Sequence, residues 1–309
     1  MTEYAIRARG VARRYGTMQA LTGVDLDVQR GEIFAVLGPN GAGKTTFIEI
    51  LEGLRRRDMG TVNVLGEDPS DGRRSWRARI GGVLQLGTET DEITVREMVE
   101  AFAAYYPNPL PATELLAALD LTEQQDRKVR QLSGGQRRRL DLALGMIGNP
   151  ELLFLDEPTT GLDPEVRRRI WQFVTMLAEQ GMTIVLTTHY LEEAEQLADR
   201  VAVLVAGQIV TTGRPEEITG TTQSIVSFHP TGALASATLP DGLPATSLSK
   251  SNGRTVLTTA DPTALVTALV AWAAATPGGE LQDLQIERRD LEQAYLDLLT
   301  NLDPKEVSA

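Results

Sequence analysis

The glycine-rich segment from Gly38 to Thr45 constrains the fold of this chain more than any other feature. Its sequence, Gly-Pro-Asn-Gly-Ala-Gly-Lys-Thr, fits the pattern G-x-x-x-x-G-K-[ST]. The apolar run Ile33–Leu37 before it predicts a strand buried on both faces, and apolar residues at helical spacing from Phe47 to Leu54 predict an amphipathic helix behind it. Because glycines let the backbone wrap closely around phosphate, this strand–loop–helix context predicts a phosphate-binding loop rather than a turn without ligand.

Two side chains of the loop have predicted chemical roles. Lys44 is expected to reach the β- and γ-phosphates of a nucleotide, and the Thr45 hydroxyl is expected to bind Mg²⁺. The residues expected to hold the nucleotide are Gly38, Pro39, Asn40, Gly41, Ala42, Gly43, Lys44, Thr45 and Thr46.

A second acidic motif follows another apolar run. Leu152–Leu155 predicts a buried strand, and Asp156 and Glu157 come directly after it. If this strand lies beside the phosphate loop, it brings Asp156 to the metal and Glu157 to a position for deprotonating an attacking water. Many strands end in acidic residues, so this motif gains its weight from its pairing with the loop.

The order of patterns along the chain predicts the fold class. Apolar runs at Ile33–Leu37, Leu152–Leu155 and Thr183–Leu186 alternate with helical patterns, which indicates an α/β fold with a mainly parallel sheet and covering helices. Alternation over Tyr4–Ala8 predicts a half-buried N-terminal strand. A helical insertion is predicted at about residues 91–145.

The character of the chain changes near Gly220. Residues 1–220 are predicted as the first domain, and residues 221–309 as a small C-terminal α+β domain. Strands are predicted at Ser224–Phe228 and Thr255–Thr258, with a hairpin signal at Asn252-Gly253. Six basic and twelve acidic residues lie between Arg214 and Ala309, so this segment carries half of the net charge of −12.

Composition excludes several classes of protein. The chain has no cysteine and two histidines, His189 and His229, which excludes disulfides, thiolate sites and multi-histidine metal clusters. The net charge of −12 argues against non-specific nucleic-acid binding. The longest mostly apolar stretch, Ala264–Ala275, is shorter than the ~20 residues of a spanning helix. The first ten residues lack the apolar segment of a signal peptide, so a cytoplasmic location is expected.

A short motif then narrows the family. Leu132-Ser133-Gly134-Gly135-Gln136 precedes a helical pattern, and such a turn is either an anion-binding site or a plain helix N-cap. The string resembles the signature sequence of ATP-binding-cassette (ABC) ATPases. Further motifs of that family follow in the usual order over about Tyr4–Gly220: Tyr15, the phosphate loop, Gln85, the signature, Asp156-Glu157, Gly161-Leu162-Asp163 and His189.

The resemblance implies a cassette of the P-loop NTPase class with antiparallel N-terminal strands, ATP and Mg²⁺ as ligands, and a head-to-tail dimer with a second copy of the chain. In such a cassette Tyr15 stacks on adenine, Gln85 senses the metal and the water, and His189 contacts the γ-phosphate. The signature residues close over the nucleotide of the opposite subunit, whose site Asp163 helps to shape. The implied catalytic residues are Lys44, Gln85, Glu157 and His189, and the implied metal-site residues are Thr45, Gln85 and Asp156.

Three functions fit an ABC resemblance: the ATPase subunit of a membrane transporter, a soluble ATPase acting on DNA or ribosomes, and a module that binds ATP without hydrolysing it. The stretch from Lys44 to Ser133 is too short for the long coiled coil of the DNA-acting relatives. Ribosome-acting relatives usually carry two cassettes, whereas this chain has one. Gln85, Glu157 and His189 are all present, which argues against a module without turnover.

A transporter subunit is therefore predicted, working with a separately encoded permease at the inner face of the cell membrane and without nucleic acid. Thr94-Val95-Arg96-Glu97 and the tail Leu291–Leu296 resemble the drug-resistance exporter subfamily, which implies export of drugs, lipids or other amphipathic compounds. The arginine runs at residues 55–57, 137–139 and 167–169 are predicted to be solvated helix faces. His229 is assigned no role.

Overall fold

The chain separates into two units in a computed structural model, which describes residues 3–82, 92–219, 224–251, 253–288 and 291–301. The first unit extends to Pro215, and the second is Glu216–Asn301. The domain boundary at Gly220 stays a prediction.

The strands of the first unit build two sheets. In chain order they are β1 (Tyr4–Tyr15), β2 (Met18–Gln29), β3 (Ile33–Leu37), β4 (Met59–Val64), β5 (Ile80–Gly82), β6 (Leu152–Asp156), β7 (Thr183–Thr188), β8 (Arg200–Val205) and β9 (Gln208–Gly213). One sheet has the order β2-β1-β4 and is antiparallel, and the other has the order β5-β6-β7-β3-β8-β9. The second sheet is parallel except for β9, so the predicted mainly parallel sheet is confirmed.

Helices connect these strands. They are α1 (Lys44–Leu51), α2 (Arg74–Arg77), α3 (Val95–Ala103), α4 (Ala112–Ala118), α5 (Gly134–Met146), α6 (Pro164–Glu179) and α7 (Leu191–Leu197). Helix α8 (Pro215–Thr219) follows β9 at the start of the second unit. Helices α3 and α4 lie in the predicted insertion. Thr94 and Glu97 form a reciprocal capping box at the start of α3, which satisfies backbone groups that the first helical turn leaves free.

The core of the first unit joins its two sheets. Every residue of β3 and β7 is buried, as expected of central strands that are covered on both faces of the sheet. Phe34 of β3 and Phe47 of α1 belong to the same buried cluster as Ile6 of β1 and Val64 of β4. The nucleotide loop between β3 and α1 is therefore held at both ends by buried elements.

The second unit is built on an antiparallel sheet. Its elements are β10 (Ser224–Gly232), β11 (Ser247–Ser251), β12 (Arg254–Thr259), α9 (Pro262–Ala275), β13 (Gly279–Arg288) and α10 (Leu291–Asn301). The strand order is β11-β12-β10-β13, and Phe228, Leu257 and Leu269 are in its apolar core. The predicted strands are found in β10 and β12. Ser251 pairs with Arg254 across the predicted hairpin, of which Asn252 lies outside the described residues.

Candidate nucleotide site

Close backbone packing determines the shape of the glycine-rich loop. Gly43 has a φ of 104°, and a Cβ atom there would lie 2.5 Å from the carbonyl oxygen of Ala20. At Gly38 a Cβ would lie 2.2 Å from the carbonyl oxygen of Leu204. Glycine is thus required at both positions, because the Cβ of any other residue would collide with the backbone of β2 at Ala20 or of β8 at Leu204.

The Lys44 ammonium group lies inside this loop. The residue is 6% exposed, and its Nζ donates hydrogen bonds to the carbonyl oxygens of Gly38 (2.8 Å) and Pro39 (3.2 Å). Nζ also lies 3.5 Å from Oε1 of Glu157. Burying a charged group is unfavourable unless it is paired and hydrogen-bonded, so these contacts keep a cation ready at the loop.

Asp156 and Thr45 bring oxygen atoms together at the carboxyl edge of the parallel sheet. Asp156 ends β6, and its Oδ2 accepts a hydrogen bond of 3.0 Å from Oγ1 of Thr45. The Thr187 hydroxyl on β7 donates to its Oδ1. Mg²⁺ prefers oxygen ligands and takes few from protein beside phosphates and water, so this pair fits a magnesium site. No cluster of three or more acidic or histidine residues suited to a metal was found among the described residues.

Glu157 has an uncommon backbone conformation for a residue other than glycine. Its φ is 47°, in the left-handed region, and its N–H donates to O (3.1 Å) and Oγ1 (3.0 Å) of Thr187. The Thr160 hydroxyl donates to Oε2 over 3.2 Å. His189 follows β7, and its Nδ1 lies 3.3 Å from Oε1 of Glu157. The turn thus directs the carboxylate towards Lys44 and His189.

Burial raises the pKa of Glu157, but the proximity of His189 and the positive charge of Lys44 outweigh this effect, and the pKa lies below its ordinary value. The carboxylate is therefore ionised at neutral pH, as a general base must be.

The signature residues form the N-terminus of α5. Ser133 Oγ accepts a hydrogen bond from the Gln136 backbone N–H (3.3 Å), and Gln136 Oε1 accepts one from the Ser133 N–H (2.9 Å). The N-cap interpretation is thus confirmed, whereas nucleotide contact stays a prediction. A Cβ on Gly134 would meet no atom within 4 Å, and a Cβ on Gly135 would lie 3.5 Å from Val166. The turn is open at Gly134.

Two further predicted residues contact groups of their own chain. Asp163 caps its own helix α6, since its Oδ1 accepts hydrogen bonds from the N–H groups of Glu165 (3.1 Å) and Val166 (3.0 Å). The guanidinium carbons of Arg13 and Arg55 lie 4.9 and 5.4 Å from the centroid of the half-buried Tyr15 ring. The roles of Asp163 and Tyr15 stay predictions. Gln85 lies outside the described residues.

Comparisons with known proteins place these features in a family. The family model described as ABC transporter matches residues 21–160. The daunorubicin resistance ATP-binding protein DrrA3 of Streptomyces coeruleorubidus is 41% identical over 308 residues, covering 96% of each chain. The chain belongs to the ABC transporter ATP-binding proteins. It is an ABC-type ATPase.

Other relatives agree with this assignment. The Nod factor export ATP-binding protein I of Burkholderia orbicola (strain AU 1054) is 40% identical over 223 residues, covering 71% of this chain and 73% of that protein. A nucleotide-free ATP-binding cassette from an ABC transporter has a TM-score of 0.62 at 26% identity, covering 69% of this chain and 92% of that structure. A dimeric, post-hydrolysis cassette bound to ADP and phosphate has a TM-score of 0.60 at 27% identity, covering 68% and 98%.

The prediction that the arginine runs are solvated is wrong for two members of the signature helix of this ATPase. Arg139 is 9% exposed and donates to the carbonyl oxygens of Leu119 (3.0 Å) and Asp120 (2.9 Å). Arg138 is half-buried and donates to carbonyl oxygens in the turn at Glu157. The apolar spacing in α5 identified one buried face, but the helix is covered on further sides, which the spacing alone does not indicate.

Sequence inspection also missed Glu52. Burial raises the pKa of this carboxyl to about 8, with the charges of Asp156 and Glu49 adding to the effect. Its only sequence signal is its position on the turn after α1.

None of the described helices is long and apolar enough to cross a bilayer.

Proposed function

We propose that this ABC-type ATPase is the ATP-hydrolysing subunit of an exporter, that it acts on a separately encoded permease, and that the exported compounds are drugs, lipids or other amphipathic molecules. It acts at the cytoplasmic face of the membrane, to which the permease recruits it. The observation that carries the proposal is the 41% identity to the daunorubicin resistance protein over 96% of the chain, which includes both units.

The residues at the carboxyl edge of the parallel sheet support the chemistry. Lys44 and the loop amides bind the β- and γ-phosphates, and His189 contacts the γ-phosphate. Glu157 accepts a proton from a water whose oxygen bonds to the γ-phosphorus, while the bond to the β,γ-bridging oxygen breaks and ADP leaves with that electron pair. Thr45, Asp156 and Gln85 would hold Mg²⁺, which would supply positive charge to the phosphate oxygens.

A second copy of the chain completes each site in this proposal. The open turn at Gly134 belongs to a helix N-terminus, which favours an anion. A head-to-tail pair brings this turn and Asp163 to the nucleotide of the opposite subunit. The dimeric cassette among the similar structures supports this arrangement.

The test is co-expression and reconstitution with a candidate permease from the source organism. We expect the two chains to purify together from detergent-solubilised membranes and to accumulate daunorubicin, used as the first probe, in inside-out phospholipid vesicles when ATP is added. A panel of lipid and amphipathic probes then defines the substrate class. Glu157→Gln is the control, because it retains the assembly and removes turnover. Failure to associate with the permease, with ATPase activity unaffected by it, would contradict the proposal.

A further inference from the structure

Arg138 holds the turn that carries the proposed base. Its Nη2 donates hydrogen bonds to the carbonyl oxygens of Asp156 (2.8 Å) and Glu157 (2.9 Å), and its Nε donates to that of Pro158 (2.9 Å). One guanidinium thus contacts three consecutive carbonyls. A planar fork of fixed donors suits such an array, whereas an ammonium on a flexible stem does not.

The turn needs such support because its conformation is unfavourable. Glu157 has a φ of 47°, and backbone conformations of this kind persist only where the surroundings enforce them. Two residues after Glu157, the Thr159 hydroxyl donates a hydrogen bond of 2.8 Å to Oε1 of the fully buried Glu193. The turn is therefore held by α5 through Arg138 and by α7 through Glu193.

Arg138 is a half-buried cation with negatively charged groups around it. Burial lowers its pKa, while the negative charges of Asp141, Asp156 and Glu193 act in the opposite direction. The side chain of Arg168 on α6, by contrast, is exposed and has no hydrogen bond or ion pair with the residues that the structure describes. The two arginines share a residue type and a helical setting but differ in contacts.

We propose that Arg138 is a positioning residue for hydrolysis. It holds the carboxylate of Glu157 in place, and because it lies on α5 it connects that carboxylate to the signature turn at the start of this helix. This inference rests on the proposed function, in which Glu157 is the base and the signature turn contacts the opposite subunit's nucleotide. Arg138 then joins the two sites of a dimer: closure of Ser133–Gln136 over one nucleotide is transmitted along α5 to the base that acts on the other.

The experiment compares Arg138→Lys and Arg138→Gln with Arg168→Lys and Arg168→Gln in the full chain. We expect both Arg138 variants to lower kcat at least ~10-fold, the scale of one or two charge-assisted hydrogen bonds, while the Kd for ATP changes less than about threefold. The Arg168 variants should keep both values. Full activity of Arg138→Lys would mean that charge alone suffices and would overturn the proposal.

A double-mutant cycle separates positioning from a general effect on folding. In a Glu157→Gln background, Arg138→Lys should reduce the residual turnover by less than about twofold, because the arginine acts through the missing carboxylate. A further loss of tenfold would show an independent role and overturn the inference. If Glu157→Gln itself retained wild-type turnover, the proposed base would be wrong; if it abolished turnover while the Arg138 variants stayed active, this inference alone would fail.

Thermal melting and ATP-binding measurements on Arg138→Lys separate a loss of stability from a loss of catalysis. A lower melting temperature with unchanged kcat would identify a purely structural arginine and contradict positioning. A lower kcat with intact ATP binding supports the proposal.

Discussion

The two units of the chain bury different kinds of polar groups. The first buries ionisable side chains, among them Lys44, Arg139, Asp141 and Glu193, whereas the buried polar side chains described in the second are hydroxyls, as at Ser227 and Thr255. A buried charge costs far more free energy than a hydrogen-bonded hydroxyl and persists where other groups compensate it. The comparison places the buried ionisable side chains in the first unit, whereas hydroxyls are the buried polar side chains described in the second.

The largest expected effect tests this contrast at matched glutamates. Glu157→Gln should bind MgATP and hydrolyse it at least ~100-fold more slowly, the scale of losing a general base. Glu287→Gln, which changes an exposed glutamate on β13, should hydrolyse ATP at the wild-type rate. Steady-state phosphate release and nucleotide binding measure both variants. Near-normal turnover in Glu157→Gln would remove the base assignment.

Two glycines with positive φ, one in each unit, should give the next largest difference when each is replaced by alanine. Gly43→Ala adds a Cβ that would lie 2.5 Å from the Ala20 carbonyl, so we expect the Kd for ATP to rise at least ~10-fold. Gly253 in the second unit has a φ of 77° with nothing within 4 Å of an added Cβ. Gly253→Ala should therefore cost about 1 kcal/mol of stability and leave ATP binding unchanged. Equal effects on binding would break the contrast between the units.

The half-buried acid Glu52 predicts a pH-dependent stability. Its folded-state pKa of about 8 exceeds the ordinary 4.5, so the folded chain binds the proton more tightly. This contribution to stability is complete below pH 4.5 and is lost as the pH rises to about 8. Glu52→Gln should therefore stabilise the chain at pH 8.5 by on the order of 2–4 kcal/mol, and far less at pH 5.

Chemical denaturation at the two pH values measures this difference, with Glu179→Gln on the exposed face of α6 as the control. A benefit that is equal at pH 5 and pH 8.5 would contradict a raised pKa.

The smallest expected effect comes from removing most of the second unit. A chain that ends at Thr219 lacks all strands of β10–β13, yet its Kd for ATP should stay within about twofold of the full chain, because every proposed nucleotide contact precedes that residue. Circular dichroism must first show that the shortened chain is folded. Loss of binding in a folded chain would extend the nucleotide site into the second unit.

Local features were predictable from the sequence, and distant packing was not. The motif Gly38–Thr45 and its two flanking elements are adjacent in sequence, so a local pattern identifies the loop. The contact between Arg138 and Glu157 depends on which side of α5 meets the end of β6, and a local sequence pattern does not predict how these two elements pack. Likewise, Glu52 is a turn residue in sequence, and its raised pKa follows from burial by the assembled unit.

The central claim is that each ATP lies between the phosphate loop of one copy and the signature turn of another. Mixing Lys44→Ala chains with Gly135→Asp chains tests it most directly, since each variant alone should be inactive. Random pairing makes about half of the dimers mixed, each with one intact site, so activity should recover towards roughly a quarter of wild type if the sites act independently. The amount of ATP that stays bound to the dimers should be measured in addition to turnover, because it detects the intact site even if the two sites are coupled. No recovery by either readout would contradict a shared site, because a site built within one chain leaves every chain defective.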